Sequence, residues 1–119
     1  MTENKKIGDR GEAIAKEYLK KSGYKIIASN HRSGHLELDI IAEKDGRLIF
    51  FEVKTRAKNK IDSLDIPLTA RQVKNLKRAI LAYCLQSGNS LNSVRLDLIT
   101  ITADRAAGLA ELKHYQDIF

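Results

Sequence analysis

A single cysteine, Cys84, excludes intramolecular disulfide bonds and any zinc site built from several thiolates. It falls at an apolar helical position, which reads as a buried, inert thiol. Aromatic residues make up only 6% of the chain and tryptophan is absent, so few rings are free to stack on bases. That composition disfavours a dedicated single-strand binder. No apolar run is long enough to cross a membrane, and the charged start Thr2-Glu-Asn-Lys-Lys6 lacks the apolar core of a secretory signal. The expectation is a cytoplasmic protein without a membrane partner. Internal repeats, low-complexity tracts and domain linkers are also missing.

What remains is the composition of an ordinary globular protein, 43% hydrophobic and 30% charged over 119 residues. That length suits one domain, residues 1–119, able to bury a core without disulfide or metal staples. The net charge is +6, which points toward a polyanionic partner or a merely solubilising surface. Up to four of the 15 acidic residues fall in one candidate site, so the rest of the surface is more basic than the total suggests.

Residues from about Asn4 to Ser22 read as a helix with Ile14, Ala15, Tyr18 and Leu19 as its apolar stripe, and Gly23 suits its C-terminal cap. Glu12 shares a stripe with Gly8, Ala15 and Leu19, which puts a carboxylate at the edge of the buried face. Gly8 and Gly11 each weaken a helix by up to ~1 kcal/mol relative to alanine, so a close approach is expected there. Strands are expected at Tyr24–Ala28, Leu36–Glu43 and Leu48–Thr55. The segment Arg56 to Pro67 has no period and carries Arg56, Lys58 and Lys60, as a basic loop would. Thr69-Ala-Arg-Gln72 is a capping-box pattern opening a second helix that ends near Gly88, with Val73, Leu76, Ile80, Tyr83 and Cys84 buried. Strands Val94–Thr102 and Leu109–Tyr115 close the chain. The order α-β-β-β-α-β-β predicts an α/β fold, one mixed sheet flanked by helices.

The most specific local signal is Asp45-Gly46 between two apolar runs, a two-residue hairpin turn in which both positions need φ > 0. With that loop, Asp39 faces Glu52 and Glu37 faces Lys54, all four on one face of the sheet. Directly opposed residues have Cβ atoms roughly 4.5–5.5 Å apart, and opposed like charges are destabilising. The plain alternative is a solvated outer face. Against it, Ile41 faces Phe50 beside the acidic pair, so the charged face is not polar throughout, and a partly covered cleft is expected. The other face, with Leu36, Leu38, Ile40, Ala42, Ile49, Phe51 and Val53, is expected to be the core.

Two opposed carboxylates beside a lysine suit a divalent cation. Mg²⁺, or Mn²⁺ in its place, takes one or two protein carboxylates and fills its remaining positions with water and phosphate oxygens. Asp39 and Glu52 can supply the carboxylates and the Val53 carbonyl a third ligand. Such a metal stabilises charge on a phosphate and lowers the pKa of bound water. Lys54 can orient or activate the attacking water, or stabilise the pentacovalent phosphate. Glu12 can complete the shell from the first helix, and Glu37 can position Lys54 as its ion-pair partner.

Asp39 followed by Glu52-Val-Lys54 resembles the PD-(D/E)xK nuclease superfamily, with Leu38 where the name has proline. A wider pattern covers nearly the whole chain: Gly8-x-x-Gly11-Glu12-x-x-Ala15-x-x-Tyr18-Leu19, Glu37-Leu-Asp39-Ile-Ile-Ala42, Phe51-Glu52-Val-Lys54-Thr-Arg56, Arg95-Leu-Asp97 and His114 through Phe119. It resembles the YraN family of small bacterial proteins, regarded as endonucleases related to archaeal-type Holliday junction resolvases. The resemblance implies a restriction-endonuclease-like domain that hydrolyses DNA phosphodiester bonds with Mg²⁺, on branched or structured DNA, as a homodimer. It implies that Glu12 is the helix acid, Asp39 and Glu52 the metal pair and Lys54 the catalytic lysine. Gln72 stands where the YraN pattern has lysine, and a helical glutamine there is similar to the resolvases.

Basic residues near this site are candidate phosphate contacts: Arg56, Lys58 and Lys60 in the loop, and Arg71, Lys74 and Arg78 on one stripe of the second helix. His31, His35 and His114 lack ligand spacing, and Asp97, on an apolar strand, reads as structural. The rival reading from another class is a non-catalytic DNA-binding or accessory protein that keeps the nuclease fold.

Overall fold

A computed structural model describes residues 3–57, 68–104 and 106–118, with side chains from residue 10 onward. Helix α1 (Glu3–Lys21) is followed by strands β1 (Lys25–Ser33), β2 (Leu36–Lys44) and β3 (Arg47–Ala57). Helix α2 (Ala70–Ser87), a short 3-10 turn at Leu91–Ser93, β4 (Val94–Asp104) and β5 (Leu109–Tyr115) complete the chain. The element order is the expected α-β-β-β-α-β-β. One sheet of order β1-β2-β3-β4-β5 holds all the strands, with β3 and β4 parallel and the other neighbours antiparallel. Strand β1 runs to Ser33, past the Ala28 end expected from its apolar residues, because it pairs with β2 as far as Ser33↔Leu36.

Local stereochemistry accounts for the boundaries. Asp45 and Gly46 have φ of 54° and 75°, as the two-residue turn requires, and Lys44↔Arg47 through Ile40↔Phe51 form the expected register. Thr69 caps α2: its side chain accepts the Gln72 N–H at 3.1 Å, while the Gln72 side chain accepts the Thr69 N–H at 2.9 Å. Gly88, at φ 75°, ends the helix in the left-handed region.

The two faces of the sheet carry separate cores. Under α1 lie Ala15, Leu19, Tyr24, Ile40, Ala42, Ile49, Phe51, Ile99 and Ile101. Under α2 lie Leu38, Ile41, Leu48, Phe50, Leu76, Ala79, Ile80, Cys84 and Leu96. This corrects the expectation of a core on one face and a cleft on the other. A parallel β3–β4 pair needs a crossover, and the crossover helix covers the second face. Leu36 and Leu38 also change sides, lying with Ile41 under α2 rather than with Ile40. Alternation breaks at Asp39, where the β1–β2 pairing omits the Asn30–Asp39 position and Asn30 adopts φ 52°. Ile14, expected in the α1 stripe, is 38% exposed.

Two features lock α1 to the sheet. Gly11 rests on β3 so closely that an added Cβ would stand 2.0 Å from Thr55 Oγ1 and 3.0 Å from Thr55 Cβ. This is the close approach that a helix-weakening glycine signalled. The second is a buried polar cluster around Asp97, which is fully buried. Its carboxylate accepts from Arg95 Nε and Nη2, both at 2.8 Å, and from the Asp117 N–H at 2.9 Å. His114 Nε2 lies 2.7 Å from Asp97 Oδ2, and the ring's Nδ1 lies 2.8 Å from the Tyr18 hydroxyl on α1. Arg95 also donates to the Tyr24 hydroxyl at 3.2 Å. Burial alone would raise the Asp97 carboxyl. The hydrogen bonds from His114, Arg95 and the Asp117 N–H, with the Arg95 charge, outweigh it and hold the group below the usual carboxylate range.

Gly11→Ala gains helix propensity but forces its methyl into Thr55, so urea unfolding should show a net loss of about 1–3 kcal/mol, recovered in Gly11→Ala/Thr55→Ala. Asp97→Ala leaves the mostly buried Arg95 charge without its carboxylate partner and should cost about 3–5 kcal/mol in the same measurement.

Candidate functional site

Strands β2 and β3 part immediately after Ile40↔Phe51. Strand β3 continues, paired with β4 from Leu48↔Val94 to Ala57↔Ala103, so from Glu52 onward its β2-facing edge has no strand partner among the described residues. A buried backbone donor must still be satisfied. Asp39 does this: its Oδ2 accepts the Val53 N–H at 2.9 Å. The Asp39 carboxylate is thereby anchored where a ladder bond would otherwise continue.

Glu52, one residue before that N–H, turns its carboxyl onto Asp39. Burial, the hydrogen bond to Asp39 and the Asp39 charge push Glu52 from its ordinary 4.5 up to about 9, against the opposing pull of Lys54 and the Val53 N–H. Glu52 therefore keeps its proton to higher pH than a solvent-exposed glutamate does. Asp39 and Glu52 are the opposed acidic pair that the hairpin register predicts, although the backbone ladder stops one position short of it. Lys54 follows two residues later, half-buried, and its charge acts on Glu52.

The remaining predicted residues divide. Glu37 does not face Lys54, because the ladder has already ended. It pairs instead across β1 with Arg32, Nη2 to Oε2 at 3.3 Å. Glu12 is half-buried with Lys16 Nζ at 3.9 Å from its Oε1, and no cluster of three acidic, histidine or cysteine side chains able to hold a metal occurs among the described residues. The Gln72 side chain is engaged in the α2 cap. Arg56 is half-buried on β3, and Arg71, Lys74 and Arg78 are exposed on α2. Lys58 and Lys60 lie outside the described residues. Lys77 was missed; it is exposed on the same helix, which carries four cations and no acidic residue. The absence of acids along the whole helix was the signal for it, more than any one stripe.

The donor set fits a divalent cation. A hard cation bound between the two carboxylates would take the place of a proton there, with oxygen coordination. Asp39 and Glu52 would hold it, with the Val53 carbonyl on the same strand as the further donor.

Glu52 also makes stability depend on pH in the absence of metal. Its folded value lies above its unfolded value, so the folded state binds the extra proton, and the stabilisation from that proton is complete below about 4.5 and lost as pH rises through about 9. In a chelator-containing buffer, thermal unfolding should shift to lower temperature between these limits. Glu52→Gln should flatten that slope and unfold at a higher temperature than wild type at alkaline pH.

Comparisons with known proteins place the chain among relatives of its own size. It is 33% identical over 116 residues to a UPF0102 protein of Syntrophomonas wolfei, covering 98% of this chain and 99% of that one. A UPF0102 protein of Christiangramia forsetii is 34% identical over 119 residues, covering 100% and 98%. One from Chlorobium phaeobacteroides is 35% identical over 117 residues, covering 95% and 92%. The model of the family described as "Uncharacterised protein family UPF0102" matches residues 11–101, from Gly11 through both candidate acids to the end of the β4 core. The chain belongs to the UPF0102 family.

Proposed function

We propose that this protein is a divalent-metal-dependent endonuclease that hydrolyses DNA phosphodiester bonds. The observation that carries the reading is the meeting of the Asp39 and Glu52 carboxyls where β2 and β3 part, with Lys54 two residues beyond. An acidic pair repels a phosphate backbone, so a pure DNA binder gains nothing from it; a site that recruits a cation does. Mg²⁺ or Mn²⁺, when bound, supplies charge stabilisation at the phosphate and a more acidic water.

This chain's own groups do the rest. Asp39 is anchored by the Val53 N–H, which fixes its carboxylate beside Glu52. Glu52 would be the second carboxylate donor to a bound cation, which would compete there with its proton. Lys54 places an ammonium beside the pair, where it orients the attacking water or offsets charge building on phosphorus. The cations of α2, with Arg56, provide the attraction for a polyanion that the acidic pair lacks. The resemblance to the YraN group and to the PD-(D/E)xK nucleases supports the same chemistry, with branched or structured DNA as substrate. Glu12 acts from α1 as a supporting acid rather than as a direct member of the pair.

Cleavage of a DNA panel (duplex, single strand, flap, four-way junction) with Mg²⁺ or Mn²⁺ tests this. Wild type should cut only with metal, and Asp39→Ala and Lys54→Ala should each lose about 10²–10³-fold in rate. No cutting by wild type, or equal cutting by both variants, rejects the catalytic reading in favour of a binding protein that keeps the fold.

A further inference from the structure

The sheet ends in two edges that are built differently. Strand β1 is irregular: its pairing shifts register between Ile26 and Ala28, and Asn30 sits at φ 52°. Bulges and bends of this kind blunt an edge against pairing with another chain. Strand β5 has no such device. It pairs with β4 without interruption from Leu98↔Tyr115 to Asp104↔Leu109, and no described strand lies on its other side. Its outer edge is a straight row of backbone donors and acceptors seven residues long.

The side chains of that edge are self-complementary. From Leu109 to Tyr115 the order is apolar, Ala, acid, Leu112, base, His, aromatic. In an antiparallel pair with Leu112 at the centre, Glu111 falls opposite the partner's Lys113 and Leu109 opposite the partner's Tyr115. Each match occurs twice because of the two-fold symmetry. All four are exposed in the single chain: Leu109 is 68% exposed, Tyr115 42%, and the Glu111 and Lys113 side chains, 3.8 Å apart as an ion pair on the surface, 70% and 61%. Opposite charges and apolar–aromatic pairs are the cross-strand matches that stabilise antiparallel sheets.

We propose that β5 is a self-association edge through which two copies of this chain join, antiparallel and centred on Leu112, into one continuous sheet. Leu112 itself stays packed against the α1 core. Because the two-fold axis is perpendicular to the sheet, both Asp39–Glu52 pairs open on the same side. Their β3 strands stand five strand spacings apart, about 24 Å. That last consequence rests on the proposed nuclease reading, whereas the association does not. A seven-residue strand pair is a small interface, so association is concentration-dependent.

The test is sedimentation equilibrium of the full chain over a range of concentrations, without DNA or metal. Wild type should approach twice the chain mass as concentration rises. Glu111→Lys and Lys113→Glu each create like-charge pairs and should remain monomeric alone. Mixed in equal amounts they restore opposite charges at both positions and should associate again, and the double variant Glu111→Lys/Lys113→Glu should associate like wild type. A wild type that stays monomeric, single variants that associate as wild type does, or a mixture that stays monomeric would each overturn the proposal. None of these outcomes depends on whether the protein cuts DNA.

Discussion

The backbone N–H of Val53 has no strand to bond to on the β2 side, and a carboxylate takes that strand's place. The geometry of the candidate site follows from this substitution. Strand β3 is held along its length by β4, so when β2 ends its ladder at Ile40 the donors of β3 on that side must find another acceptor. Asp39 answers from the first unpaired position. Its fixed carboxylate then lies against Glu52, and burial beside that like group raises the Glu52 carboxyl. The fold accepts that destabilisation in one place because the sheet is packed on both faces elsewhere.

The frame that holds this corner is stiff for reasons of packing and polar satisfaction. Gly11 brings α1 into van der Waals contact with Thr55, one residue past Lys54. On the same face, the Asp97 cluster ties β4, β5, the turn after α1 and α1 itself through Arg95, His114, Tyr24 and Tyr18. Every oxygen of that carboxylate is used, which is the condition under which a buried charge does not loosen its surroundings. Strand β4 pairs Thr100 with Lys54, so the anchored strand is also the one that sets where the lysine stands.

The acidic and basic groups of the candidate site occupy separate places. The acidic pair is confined to the gap between β2 and β3, while the cations sit on α2 and at Arg56. Under the proposed function, this separation would let the basic groups attract a polyanion without cancelling the acidic pair's attraction for a cation. The self-complementary β5 edge lies beyond β4, two strands from β3, so association there leaves the gap open.

Features set by neighbours in the chain were legible in the sequence. The Asp45-Gly46 turn, the Thr69–Gln72 capping box, the Gly88 terminus, the order of elements, the buried character of Cys84 and the structural role of Asp97 all depend on backbone stereochemistry or periodicity within a few residues. The meeting of Asp39 with Glu52 was legible too, because a two-residue turn determines what faces what along its hairpin. That inference weakened with distance from the turn. It failed at Glu37 and Lys54, and it put Leu36 and Leu38 on the wrong face. The cause is tertiary: β2 leaves β3 after Ile40↔Phe51 while β4, distant in sequence, stays paired along the other edge, and Asn30 on β1 adopts a left-handed φ where the β1–β2 pairing skips Asp39. Coverage of the second face by α2 likewise follows from the parallel crossover rather than from any residue in the hairpin. Local stereochemistry thus determined which residues could meet, and the point where β2 leaves β3, while β4 stays paired along the other edge, decided which did.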